Sequence, residues 1–537
     1  VRPLKLSNID QLFEETLMSA DASLDPLKTT LRHIHHLRDA AAVLSWDQET
    51  YMPPGGGAIR AEQLATLQTL AHDQFVSPEI ESMLASFLDL STGTLHHVHT
   101  SALDEPSQAL LRETWRDFSH AKKLPSAFVN ELERECSLAQ QVWVEARKTN
   151  DFQLFLPNLQ RLVRLKRQET EYLGYQDSPY NALLDIYEPG STVAQLRPLF
   201  ATLRTELIRL LDHIRESPVQ PKAHLLTQSY DKTQQVDFGR LVLKHMGYDF
   251  QRGRLDLSAH PFTTSFHPTD VRVTTRVFET DLLSCLFSCI HEGGHGLYDQ
   301  GLPTNHYGTP LAEPVSLGIH ESQSRLWENC VGRSRAFWRY FYPKVQEIFP
   351  AQLGEVTVEE FYLAINRVTP SFIRVEADEL TYNLHIMVRF EIELDVIEER
   401  MQVEDLPEVW NAKIQEYLGI VPPSDAEGVL QDVHWSFGAF GYFPTYTLGN
   451  LYASMLFRQA QKDLPDLDQA ISLGNLLPLK GWLNDRVHRW GRQYTAAELI
   501  QRVTGQDLTP EPFIHDLEQK FGILYQFSTT SSTSHSQ

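Results

Sequence analysis

The chain has 537 residues, of which 42% are apolar, 10% aromatic and 22% charged, so a substantial core is within reach and global disorder is excluded. Lys plus Arg number 47 against 70 Asp plus Glu, and the formal charge of −23 argues against nucleic acid or an anionic membrane as partner. The four cysteines, Cys136, Cys285, Cys289 and Cys330, form no CxxC and are too few for a disulfide scaffold, so they read as free thiols. No window approaches about 18 uncharged apolar residues, and the opening segment VRPLKLSNIDQLFEETL reads as an amphipathic helix rather than a leader. Cytoplasm is the expected location.

In chain order, Leu27, Leu31, Ile34, Leu37, Ala41 and Leu44 recur at spacings of three or four and predict a helix over 26–46. Pro53, Pro54 and Gly55–Gly57 end it, and a second helix is expected over 60–71. Residues 108–149 read as a helical pair broken at Pro125. Further helices are expected from Pro157 to Leu173 and from Thr192 to Arg215. Between Tyr248 and Arg276 short Thr- and Val-rich segments punctuated by proline predict two or three antiparallel strands. Helix returns at Val277 and dominates through Tyr340, with further helices over roughly 358–366, 376–399, 408–417, 446–461 and 495–504. The polar end, 527–537, is expected to be a flexible tail. The expected fold is mainly α: a single unit over 1–525, its two helical halves flanking a deep central groove, with a small antiparallel sheet near the active site.

The informative segment is DLLSCLFSCIHEGGHGLYDQG, 281–301. An apolar stripe places His291-Glu292-Gly293-Gly294-His295 on a helix, where positions i and i+4 share a face. His291 and His295 can therefore offer two imidazoles to one metal, with Glu292 placed to act as general base. Chance matches to this pattern number about 0.05 for a chain of this composition, so two core histidines are the poorer explanation. Gly293, Gly294 and Gly296 weaken a free helix and imply close approach by substrate or another element, while Gly301 reads as the C-cap. A third ligand must come from LAEPVSLGIHESQSRLWENC, 311–330. Glu321 is the candidate, with His320, pointing about 100° away on a helix, and Glu313 as rivals. Glu328, two turns beyond Glu321, is either an orienting partner of a ligand or a surface residue.

HEGGHGLYDQG, HESQSRLWEN at 320–329, HPF at 260–262, DVRVTT at 270–275 and IRVEADELTYNLHI at 373–386 resemble the signatures of the Taq-type metallocarboxypeptidases. So do WDQETYMPPGG at 46–56, YEPG at 187–190, GRLD at 253–256 and HWSFGAFGYFPTYTLGN at 434–450. The resemblance runs from about residue 7 to 525. It implies a helical, grooved fold, usually homodimeric, and a zinc peptidase that removes single residues from free peptide C-termini with broad preference. It also implies His291, His295 and Glu321 as ligands and Glu292 as base. Gly296 and Asp299 stand where Ala and Glu are more usual, and neither change removes a ligand. The same donor set accepts cobalt or manganese.

A carboxypeptidase also needs a cation for the terminal carboxylate, for which Arg374 is the first candidate and Arg272 and Arg325 the competitors. It needs donors for the tetrahedral oxyanion, and Tyr442, Tyr446 and His434 in a Gly- and aromatic-rich segment read as a pocket-lining loop are the candidates. His385 and His260 are expected in structural or cleft-lining roles. Two competing readings are an oligoendopeptidase with the same motif and a non-catalytic peptide-binding protein, against which the intact Glu292 stands.

Overall fold

The structure is a computed structural model that describes residues 24–100 and 103–527. The helix expected before residue 24 and the tail beyond Phe527 lie outside the described residues. The breaks expected at Pro53 and Pro125 fall there, whereas the helix expected from Pro157 starts at Phe152, capped by Asp151, with Pro157 inside it. α1 (Asp25–Thr50) ends ahead of Pro53, and the pair around Pro125 is Glu105–Lys123 followed by Ser126–Thr149. Side-chain oxygens satisfy free N–H groups at many helix starts: Asp151, Thr192 and Asp231 each accept from the residue three further on. The helices not expected from the sequence include α2 (Lys232–Met246), Leu477–Arg486 and Glu511–Tyr525, as well as the shorter Pro78–Ala85, Tyr180–Tyr187 and Leu467–Ser472.

Two apolar clusters carry the packing. The smaller holds the N-terminal helices together through Leu27, Leu31, Ile80, Leu110 and Phe118, and takes in Leu311 from far along the chain. The larger extends from Ala139 to Tyr525. Arg492 ties the two together, donating to Asp117 at 2.7 Å, Glu313 at 2.9 Å and Glu113 at 3.0 Å.

The small sheet is mixed rather than antiparallel throughout. β1 (Gly253–Leu257) pairs parallel with β3 (Asp270–Thr275), and β2 (Thr263–His267) pairs antiparallel with β3, in the order β1-β3-β2. Residues 258–262 double back across the end of β3, where Thr274 accepts hydrogen bonds from Ser258 Oγ at 2.7 Å and Phe262 N at 2.9 Å. That detour lets β2 return on the far side of β3, which makes β1 and β3 parallel. It also leaves β2 as an edge strand beside α3 (Leu282–Gly301).

α3 is capped by Asp281, which accepts from Leu283 N and Ser284 N, both at 3.0 Å. Its glycines serve contact with neighbouring elements. A Cβ on Gly294 would lie 2.6 Å from Gln323 O and 2.7 Å from Ser324 Cα of α4 (Leu317–Arg325). Gly293 packs on Leu243 of α2, and Gly296 on Tyr248 and Val273. Gly301 is the last helical residue rather than a left-handed cap, pressed against His488 and Asn484. From the other side α6 (Pro444–Asp463) meets α4 at Gly449, where a Cβ would lie 2.5 Å from Glu321 Cγ.

Because the atoms facing Gly294 are backbone, Gly294→Ala must displace a helix. The expected cost is about 1–3 kcal/mol, read as a lower urea midpoint at unchanged slope. Gly481→Ala, in a helix with open space around the new methyl group, should leave stability equal or higher. Equal effects of the two substitutions would refute the close-approach explanation.

Candidate metal centre and active site

α3 presents His291 and His295 one turn apart, their ring centroids 4.9 Å from each other. The Nε2 atoms lie 3.8 Å and 3.5 Å from Glu321 Oε2 on α4. One ligand atom from each of these three residues falls within 4.8 Å of the others, the arrangement that a single cation requires. Glu328 Oε2 lies 2.9 Å from His291 Nδ1 and fixes the ring so that the Nε2 lone pair turns toward Glu321. Lone pairs converging on a carboxylate oxygen repel unless a positive charge lies between them. The donor set therefore fits a divalent cation.

The surroundings of Glu321 are equally specific. Arg325 Nε donates to its Oε1 at 2.6 Å and Ser324 Oγ donates to its Oε2 at 3.2 Å. Arg325 also donates to Glu328 at 3.2 Å. Burial works to raise the Glu328 carboxyl, but Arg325 and His291 bring it down to about 2. Past Arg325 the helix widens into a π-helix over Leu326–Gly332, which carries Glu328. Glu328 is thus a partner of His291, with 9% of its surface exposed.

Glu292 points to the sheet, where Thr263 Oγ1 of β2 donates to its Oε2 at 2.7 Å. Burial raises its carboxyl above the usual range. His320 stacks on His295 at 4.4 Å and lies 3.1 Å from Asp299, so it flanks the triad. Glu313 is held by Arg492. His260 is exposed, and His385 is wholly buried.

The three candidate arginines separate clearly. Arg272 is held by both oxygens of Asp270 at 2.9 Å and lies against the Trp46 and Phe266 rings. Arg325 is occupied by Glu321 and Glu328 and stacks 4.3 Å from the Tyr382 ring. Arg374 donates from Nε and Nη2 to Asp432 Oδ1 at 2.9 Å and 2.8 Å, and from Nη1 to Tyr382 Oη at 3.0 Å. Arg389 of α5 (Tyr382–Ile397) donates to the other oxygen of Asp432 at 2.7 Å. Burial pushes His434 down to about 3, so this buried group holds two guanidiniums against one carboxylate.

Tyr446, on α6 rather than in a loop, lies 3.3 Å from His434 Nε2 through its hydroxyl and 5.3 Å from the Tyr442 ring. Burial first, and the Glu321 charge after it, raise the Tyr442 phenol. The loop before Tyr442 hangs from buried Glu393, which accepts from Trp435 Nε1 at 2.8 Å, Gly441 N at 2.9 Å and Tyr180 Oη at 2.6 Å. Beside His320 a cavity of 640 Å³ opens toward the N-terminal helices, walled by Phe75, Tyr187, Val315 and Leu317. Sequence reading passed over Tyr382, Asp432, Arg389, Thr263 and Glu393. Tyr382 stands inside a quoted motif, whereas Asp432 carries no local signal of its pairing with residues some 40 to 60 positions away.

The helical fold and the two-histidine, one-glutamate cluster define a metallopeptidase of the HExxH class. Residues 26–521 match the family model for carboxypeptidase Taq (M32) metallopeptidase, and the chain belongs to that family. It is a metallocarboxypeptidase. It is 42% identical to thermostable carboxypeptidase 1 of Thermus thermophilus, over 95% of this chain and 100% of that one. It is also 40% identical to carboxypeptidase 1 of Bacillus subtilis, over 92% and 97%. Among solved structures, the M32 carboxypeptidase from Deinococcus radiodurans superposes with a TM-score of 0.89 at 38% identity, over 94% of this chain and 100% of that chain. Metallocarboxypeptidase 1 of Trypanosoma cruzi gives 0.87 at 34%, over 93% and 99%.

Glu328→Ala should leave the fold intact and weaken metal retention about 10- to 100-fold, because it frees the His291 ring. Competition with a chelator measures this. Unchanged retention would make Glu328 a packing residue only.

Proposed function

We propose that the protein is a zinc carboxypeptidase that releases single residues from free peptide C-termini with broad preference. His291, His295 and Glu321 would hold the cation. When bound, it supplies Lewis acidity toward the scissile carbonyl and toward water, and cobalt or manganese suits the same donors. Thr263 occupies Glu292 Oε2, so Oε1 is the atom that takes the proton from the attacking water and returns it to the departing amine. The half-buried phenols of Tyr442 and Tyr446, raised above the ordinary range and so protonated, are the donors for the developing oxyanion, with neutral His434 orienting Tyr446. The cavity beside His320 accommodates peptide upstream of the scissile bond. Action as a cytoplasmic homodimer belongs to the same reading.

The observation that carries exopeptidase action is the charge of the buried group around Arg374. Asp432 is the one carboxylate in ion-pair contact with both guanidiniums among the described residues, with Glu393 acting on Arg389 only at longer range, so the group beside Tyr446 is rich in positive charge. A peptide's terminal carboxylate is the anion that balances it. Arg272 and Arg325 are committed to other partners and are not part of this clamp.

Two substitutions test the reading. Glu292→Gln should keep metal and fold and abolish turnover, and near-normal activity at full metal loading would remove Glu292 from the mechanism. Arg374→Ala should lower kcat/KM on free-acid peptides about 10- to 150-fold, the equivalent of a charge-assisted contact of roughly 1.5–3 kcal/mol, while matched C-terminal amides change little. An equal fall on both substrates would assign Arg374 to structure. Equal native rates on acid and amide would favour internal cleavage.

A further inference from the structure

Tyr187 of the YEPG segment at 187–190 walls the cavity described above. Glu188 has no part in that machinery, yet it is one of the most deeply buried acids in the molecule, with 1% of its surface exposed. Among the described residues no cation pairs with Glu188. Its partners are all donors. Gly318 N, in the first turn of α4, donates to Oε2 at 2.9 Å, and Tyr452 Oη of α6 donates to Oε1 at 3.0 Å. The hydroxyl of Ser316, the residue that caps α4, also favours the charged form of the carboxyl. Burial pushes the carboxyl up to about 7 against these hydrogen bonds. The fit is tight, since a Cβ on Gly318 would lie 2.5 Å from Oε2.

We propose that Glu188 is a positioning residue for the metal centre: it joins the start of α4 to the middle of α6 and thereby fixes Glu321 against the imidazoles of α3. Glu321 lies three residues past Gly318, less than one turn, so displacement of the first turn of α4 along its axis moves the ligand by nearly the same amount. A negative group at this end also favours the helix, whose free N–H groups point at it. The other end of the staple matters equally, because α6 carries Tyr446 and meets Glu321 at Gly449. The neighbouring Tyr187 ring lies edge-on to Tyr442 at 5.1 Å, so one short segment supports both the ligand and the phenol. The inference rests on Glu321 being a metal ligand.

The test is Glu188→Gln in the full-length protein. Glutamine has the same shape but turns an NH2 group toward one of these donors. Expected is a folded protein whose metal dissociation constant, measured by chelator competition well below the melting temperature, is weakened about 10- to 100-fold. At saturating metal, kcat should fall while KM stays within about threefold. Leu207→Ala, which opens the core in the distant helix Val193–Glu216, should lower the melting temperature without weakening metal binding and so isolates a merely structural effect. If Glu188→Gln fails to fold, Tyr452→Phe and Gly318→Ala replace it, the first releasing α6 and the second pushing the first turn of α4 off the carboxylate. Metal affinity and kcat within twofold of native in Glu188→Gln, or in both replacements, overturn the proposal. Glu321→Ala runs alongside: if it too leaves metal affinity unchanged, the ligand assignment has failed rather than the positioning role.

Discussion

Everything at the site depends on how closely three helices are allowed to approach. Two imidazoles and a carboxylate converge on one point only if α4 lies almost in contact with α3 on one side and α6 on the other. An ordinary helix pair is held about 8–10 Å apart by its side chains. Here Gly294 meets the backbone of Gln323 and Ser324, and Gly449 meets the side chain of Glu321 itself. Glycine weakens each helix by about 1 kcal/mol relative to alanine. Packing between the helices offsets that loss, and the return is a candidate ligand whose helix is placed by backbone contacts rather than by flexible side chains.

Charge follows the same economy. Around the triad lie the carboxylates of Glu292, Glu321 and Glu328 and the guanidiniums of Arg325 and Arg333, the latter 3.5 Å from Glu328. Three negative groups against two positive ones leave a deficit that a divalent cation more than fills. Around Asp432 the imbalance has the opposite sign. Uncompensated charge is costly to bury, so each imbalance is best explained by a partner that arrives from outside. On the proposed reading, one centre takes a cation and its neighbour an anion, and a peptide end bound between them would have its carbonyl drawn to the first and its carboxylate to the second.

The sequence revealed the local parts of this arrangement well. The i and i+4 histidines, the proline breaks and the helix before Tyr51 are written in short windows, and the structure has them. The sheet was legible as strands but not in its pairing sense, because the parallel β1–β3 pair depends on the path taken by residues 258–262. α2 carries a readable signature, Asp231 ahead of Phe238, Val242 and Met246, but lies next to a stretch whose prolines and polar residues mask its start. The expected helix over 446–461 put Tyr446 at the very end of a segment otherwise read as a loop, because glycines and aromatics precede it. In fact the helix begins at Pro444, a residue suited to a first turn.

Illegible in any window were the contacts between distant residues. Arg374 could be picked out as a cation, but its pairing with Asp432 across 58 positions, and the second arginine on the same carboxylate, are properties of the folded chain. The same holds for Glu188, whose donors come from two helices 130 and 264 positions away. Spacing could propose Glu321 but not separate it from His320 or Glu313. The fold separates them by giving each rival another partner, Asp299 for His320 and Arg492 for Glu313. Glu321 too has a cation, Arg325, but that bond is made mainly on Oε1. The other oxygen faces the two imidazoles, and that division between its two oxygens is what singles it out as the candidate ligand.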